Sequence, residues 1–125
     1  MYFIGKIDTK KFKAVADSIV TDEVIITNER IRHIKDHHPN DFEEYCHYMR
    51  EIVSDPDYII EANKPRSALL LKTFRKGDRY FKTVLRLVTP ADNSDFKNSI
   101  ITFMKINESE WNRLIKNKKI LYKSE

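Results

Sequence analysis

Thr27-Asn-Glu-Arg-Ile-Arg-His-Ile-Lys-Asp-His-His-Pro39 is a helix with its start and its stop written into it. Thr27 is a good N-cap, its hydroxyl free to accept a hydrogen bond from the first turn. Glu29 falls in that first turn, where the helix dipole favours a negative charge. Pro39 ends the element, because the residue before a proline is pushed out of the helical region. At about 100° per residue, Ile31, Ile34 and His38 share one arc, the arc that must face a core. Arg30, His33 and His37 share another. A basic, titratable edge therefore runs beside a buried stripe. A lone histidine in a last turn more often just serves the carbonyl end of the dipole, and His38 fits that role. Three of the chain's four histidines on this one helix bring an acid–base site closer to even terms with that structural role.

Upstream, Met1–Ile7 has the texture of a short edge strand. Asp8 and Thr9 then cap a basic segment in which Phe12, Val15, Ala16 and Ile19 have helical spacing. Val24–Thr27 leads into the histidine helix. Downstream, Asp41 starts a second helix whose Phe42, Tyr45, Met49, Ile52 and Val53 form a core stripe; Cys46 and His47 beside it read as structural or exposed. Asp55-Pro56 ends it. The texture then changes to alternation: Tyr58–Glu61, Ser67–Phe74, Tyr80–Val88 and Ser99–Lys105 are four strand candidates. They are separated by Asn63-Lys-Pro65, by Arg75-Lys-Gly-Asp78 and by the polar loop Thr89–Asn98, and such short separations favour an antiparallel meander. Asn107 with Glu110 three residues on is a capping pattern, opening a last short helix with Trp111, Leu114 and Ile115. The expected architecture is α+β, N-terminal helices on a four-stranded antiparallel sheet.

With 125 residues, 41% hydrophobic and 34% charged, the chain suits one domain over residues 1–125. One cysteine excludes an internal disulfide. Met1-Tyr-Phe-Ile4 breaks at Gly5-Lys6, too short for a signal peptide, and the longest aliphatic run, Ala68–Leu71, is too short for a membrane span. The expectation is a soluble, cytoplasmic protein with no membrane partner. A net charge of +4 favours a polyanionic partner without requiring one. Much of the excess lies in Lys116–Lys119 and Lys123, a pattern more often a solvated surface than a nucleic-acid footprint.

The strands carry the chemistry. Phe81, Thr83, Leu85 and Leu87 alternate with Tyr80, Lys82, Val84, Arg86 and Val88. In the preceding strand Lys72 shares a face with Ala68, Leu70 and Phe74, a charge in a hydrophobic row. Lys82 reads most simply as the solvent side of an edge. Lys72 and Arg86 on successive strands, side by side, would need a shared anion to offset their repulsion. Phosphate suits them: arginine offers a planar fork of donors and lysine a point charge. Histidine adds a group that titrates near neutral pH, and Thr102 or Ser99 a hydroxyl donor. These parts suffice for cofactor-free RNA cleavage by the 2′-hydroxyl.

The sequence resembles the phage-associated nuclease branch of the superfamily that groups barnase, EndoU, colicin RNases and RelE toxins (the BECR fold). The resemblance is carried by Ile26–Ile34 with His38-Pro39, Asp55–Ile59, Leu71–Phe74, Val84–Leu87, Asn98–Thr102 and Lys118–Lys123, in the family's order. It implies helices followed by a four-stranded antiparallel sheet with an RNase site on the face beside the helices. It also implies RNA as the partner, and a neutralising immunity or antitoxin protein. By resemblance the catalytic set is His33, Lys72, Arg86 and Thr102, with His37, His38 and Ser99 at the substrate. Position 37 is often arginine in the family, so His37 would make a phosphate contact pH-sensitive.

Two other classes stand beside this one. His33 and His37, at i and i+4, have the spacing of a zinc-binding helix, but the metalloprotease glutamate between them and an obvious third ligand are missing. A non-catalytic RNA-binding or phage-particle module of the same fold would bind RNA without cutting it.

Overall fold

In the computed structural model, residues 1–74, 79–93 and 95–124 are described. The turn expected at Arg75–Asp78 lies outside them. Four short strands and three long ones build a larger sheet than the four-stranded antiparallel one that the sequence predicts. The strands are β1 (Tyr2–Lys6), β2 (Glu23–Ile26), β3 (Tyr58–Glu61), β4 (Ser67–Phe74), β5 (Arg79–Arg86), β6 (Asn98–Ile106) and β7 (Ile120–Lys123). They form one seven-stranded sheet in the order β1-β2-β6-β5-β4-β3-β7.

The antiparallel meander is there, β3 through β6 pairing in sequence order. It is extended at both ends by strands of four or five residues. On one side β2 pairs parallel with β6, Val24 opposite Asn98, so the sheet is mixed. On the other, β7 adds Ile120–Lys123 to β3, turning part of the lysine-rich tail into sheet.

The helices follow their sequence signals where those are local. Thr27 Oγ1 accepts from Arg30 N at 3.2 Å and opens α1 (Asn28–His37), and Asn107 Oδ1 accepts from Glu110 N at 2.8 Å to open α4 (Glu108–Asn117). The helix expected from Asp41 is one run in three pieces: α2 (Asp41–Tyr45), a 3-10 turn at Cys46–Tyr48 and α3 (Met49–Ser54). The segment after Asp8 forms only a 3-10 turn, Thr9–Phe12. Its apolar residues still face inward: Phe12 is fully buried, and Val15, Ala16 and Ile19 pack on the core. Burial without a sustained helix satisfied the spacing.

Alternation along the strands gives the sheet two buried faces. The larger core takes Ile34 from α1, Met49, Ile52 and Val53 from the second helical run, and Leu70, Phe81, Leu85, Ile100 and Phe103 from the sheet. On the opposite face α4 places Trp111 and Leu114 against Ile60, Leu69 and Leu71. α4 covers that face only partly, and the uncovered part is where the polar strand residues gather. Among the described residues no helix is long and apolar enough to cross a membrane.

Candidate nucleic-acid interface

β5 and β4 align so that Arg86 stands opposite Ser67, Val84 opposite Leu69 and Lys82 opposite Leu71. β6 adds Thr102 opposite Val84 and Ser99 opposite Arg86. All of these side chains belong to the face that α4 half covers. The register slips between Val84 and Leu85, because Ile101 is inserted between Ile100 and Thr102 as a bulge, and such bulges re-aim neighbouring side chains.

The uncovered part is an open concavity of about 660 Å³. Its floor is aliphatic, from Leu69, Val84, Met104 and Leu114, and Thr102 supplies a hydroxyl. Around it stand six basic side chains: Arg30, Lys64, Lys82, Arg86, Arg113 and Lys118. No carboxylate and no histidine borders it among the described residues. Arg30 arrives there because β2 accompanies β6 only as far as Ile25 opposite Ser99. Beyond that point the chain turns into α1, which packs along β6.

Two carboxylates sit behind this rim. Glu110 takes Arg113 Nε at 2.6 Å and Lys82 Nζ at 3.6 Å. The arginine bond and then the lysine charge hold its carboxyl below the usual range, and Arg113 is in turn raised by Glu110. Asp92 takes Arg86 Nη2 at 3.0 Å. Its carboxyl is also lowered, first by the bond from Thr89 N–H and then by the arginines. The cations outnumber these two acids three to one around the cavity, so the concavity presents a positive field to solvent.

The residues singled out from sequence divide sharply. Arg86, Thr102 and Ser99 share the open face. Lys72 does not join them. It stands opposite Phe81, on the face of the larger core, where it donates to the Asp55 carbonyl at 2.7 Å and lies 3.4 Å from Asp57 and 3.9 Å from Glu51. The anion that offsets its charge is the protein's own carboxylates. Its place beside Arg86 is taken by Lys82, which the sequence reading set aside as an edge lysine. The signal was available, since Lys82 and Arg86 are two of the five residues on one strand face.

His33 and His37 are exposed on α1, their rings stacked with centroids 4.2 Å apart, and His37 Nδ1 lies 3.0 Å from the His33 carbonyl oxygen. They share an arc with Arg30, one turn from the cavity, and helical side chains lean toward the helix N-terminus, here toward Arg30. His38 closes the helix, its N–H donating to the Ile34 carbonyl at 2.8 Å. Among the described residues no three His, Cys, Asp or Glu side chains converge as a metal-holding group.

Neither the curated proteins nor the solved structures include a match to this sequence. A family model does match, over residues 3–123, that of the phage-Barnase-EndoU-ColicinE5/D-RelE like nuclease2. Its span takes in every strand but the first residue of β1, along with the basic concavity and the histidine helix. The chain is therefore a member of that family of nucleases, with an α+β fold and a nucleic acid as the substrate the family implies.

Proposed function

We propose that the protein is a metal-independent endoribonuclease whose substrate backbone lies across the basic concavity of the open sheet face. The observation that carries this reading is the ring of six cations around an aliphatic floor. Arg86 and Lys82 stabilise the phosphate as charge develops on it, and Thr102, with Ser99 beside Arg86, donates to a phosphate oxygen. His33, one turn beyond Arg30, is the acid–base group, and His37, stacked on it, and His38 at the helix end contact the substrate where it runs on past the concavity.

The reaction balances without a cofactor. The base takes the proton of the 2′-hydroxyl, the 2′-oxygen bonds to phosphorus, and the 5′-oxygen leaves with a proton from the acid. The products are a 2′,3′-cyclic phosphate and a 5′-hydroxyl.

One observation favours a second reading, RNA binding without cleavage: among the described residues the cavity is bordered by neither histidine nor carboxylate. Total RNA incubated with the protein in excess EDTA separates the two. Cutting that stops in folded His33→Ala and Arg86→Ala variants supports the ribonuclease and its site. Binding with no cutting, with EDTA or with added divalent metals, leaves the binding module. Undiminished cutting by both variants rejects the site.

A further inference from the structure

We propose that Arg66 and Arg86, held on the single carboxylate of Asp92, form a paired-guanidinium site for a backbone phosphate flanking the one in the cavity, with Asp92 as its positioning residue. The proposal rests on the ribonuclease reading only in taking a nucleic-acid backbone as the ligand. Arg86 Nη2 lies 3.0 Å from Asp92 Oδ1, and Arg66 Nη1 lies 3.4 Å from both Asp92 oxygens. The Asp92 side chain is only 9% exposed, whereas those of Arg66 and Arg86 are 37% and 36% exposed. The carboxylate is thus set inside and its two cations face outward.

Two guanidinium groups on one carboxylate leave one positive charge uncompensated. They also leave most of their ten N–H donors unused, since each group carries about five. Arg86 borders the concavity and Arg66 does not. Arg66 therefore extends the row of cations beyond the rim, where the next phosphate of a bound strand would pass.

A merely structural role accounts for less of this arrangement. The 89–92 turn is already closed by Asp92 N–H to the Thr89 carbonyl at 2.9 Å and by Thr89 N–H to Asp92 Oδ2 at 2.9 Å. The end of β5 is tied separately, Leu87 N–H donating to the Arg66 carbonyl at 2.8 Å. Neither tie needs a guanidinium. Arg66 also holds φ 60°, one of two positive-φ non-glycine positions among the described residues. This is a conformation that a side chain with a β-carbon adopts only at some cost, and it is kept here at a residue whose guanidinium meets Asp92.

The test is equilibrium binding of a fully 2′-O-methyl RNA oligonucleotide, which has no 2′-hydroxyl to attack, measured over a range of salt. Arg66→Asn suits the positive φ, and it is expected to reduce the slope of log K against log salt by about 0.7, the loss of one single-strand phosphate contact. Asp92→Ala is expected to weaken binding even though it removes a negative charge beside a polyanion. Should that variant fail to fold, Asp92→Asn, which keeps an acceptor for Thr89 N–H, carries the same expectation. An unchanged slope in Arg66→Asn, or tighter binding in the Asp92 variants, overturns the proposal. If Arg86→Ala and Lys82→Ala still weaken binding in that case, the cavity reading survives it. If they too leave binding unchanged, both readings fall together.

Discussion

Lys72 and Arg86 lie on opposite faces of the sheet, because Lys72 is paired with Phe81 and Arg86 with Ser67. The two cations that sequence alone set side by side therefore do different work. Lys72 holds the turn between α3 and β3 onto β4 through Asp55 and Asp57, while Arg86 looks onto the open concavity.

Lys72→Ala is expected to destabilise the fold by about 2 kcal/mol. Breaking a fully buried ion pair costs more and an exposed one less. Here the lysine is 10% exposed and its partner Asp55 59%, so the stranded carboxylates recover much of their hydration. Lys72→Met, which refills the volume, is expected to regain part of the loss. Denaturant unfolding reads both. Binding of the 2′-O-methyl oligonucleotide by the folded fraction is expected to stay within about twofold of wild type, since Lys72 lies on the sheet face away from the concavity. A large loss of affinity in folded Lys72→Met would return Lys72 to the site.

Lys82→Ala and Arg86→Ala are expected to do the reverse, leaving the unfolding midpoint nearly unchanged while reducing the salt slope of RNA binding by about 0.7 each. Lys82→Ala also frees Glu110 from one of its two cation partners, so a small gain in negative potential adds to its effect. Affinity indistinguishable from wild type in both variants would place the nucleic acid elsewhere on the molecule.

How these two lysines exchanged roles shows what one strand's pattern can and cannot tell. Period-2 alternation sorts the residues within a strand, and it placed Lys82 with Arg86 and Lys72 with Leu70 correctly. It does not say which set of β4 shares a face with which set of β5. That is fixed by cross-strand register, here Lys72 opposite Phe81 and Ser67 opposite Arg86, which no single strand's pattern carries. The capping residues Thr27 and Asn107 were legible because a cap is a local bond. The parallel pairing of β2 with β6 was not, since Val24 and Asn98 are far apart in sequence and four residues offer only two periods of pattern. β7 was hidden by the lysines around Ile120 and Leu121. Arg66 and Asp92 could not be joined from sequence at all, since 26 positions separate them and no local pattern marks their meeting.

Asp92 makes stability depend on acid. Its carboxyl lies below its ordinary value of 3.8 in the folded protein, chiefly through the Thr89 N–H bond and then Arg86 and Arg66. A depressed folded value means that the unfolded chain binds the proton first. The contribution is therefore present above the ordinary value and lost as pH falls through the folded one. The unfolding midpoint of the wild type is expected to drop more steeply than that of Asp92→Asn as pH falls from about 5 to about 3. Parallel curves would mean that the ionised carboxylate adds nothing to the fold.

Thr83 offers the opposite kind of test, a change expected to stabilise. It lies on the buried face of β5 between Phe81 and Leu85 and is 1% exposed. Its hydroxyl oxygen has no hydrogen-bond partner among the described residues. A buried hydroxyl without a partner retains its desolvation cost and returns nothing for it. Valine has the same shape and the same preference for strands. Thr83→Val is expected to raise stability by about 1 kcal/mol, seen as a higher denaturant midpoint at unchanged slope. Because the side chain points away from the concavity, RNA binding should not move. A loss of stability would show that the hydroxyl is satisfied in solution, by water or by rotation onto a backbone carbonyl. A change in RNA binding at unaltered stability would instead mean that packing on the core face of β5 sets the positions of Lys82 and Arg86 on the other.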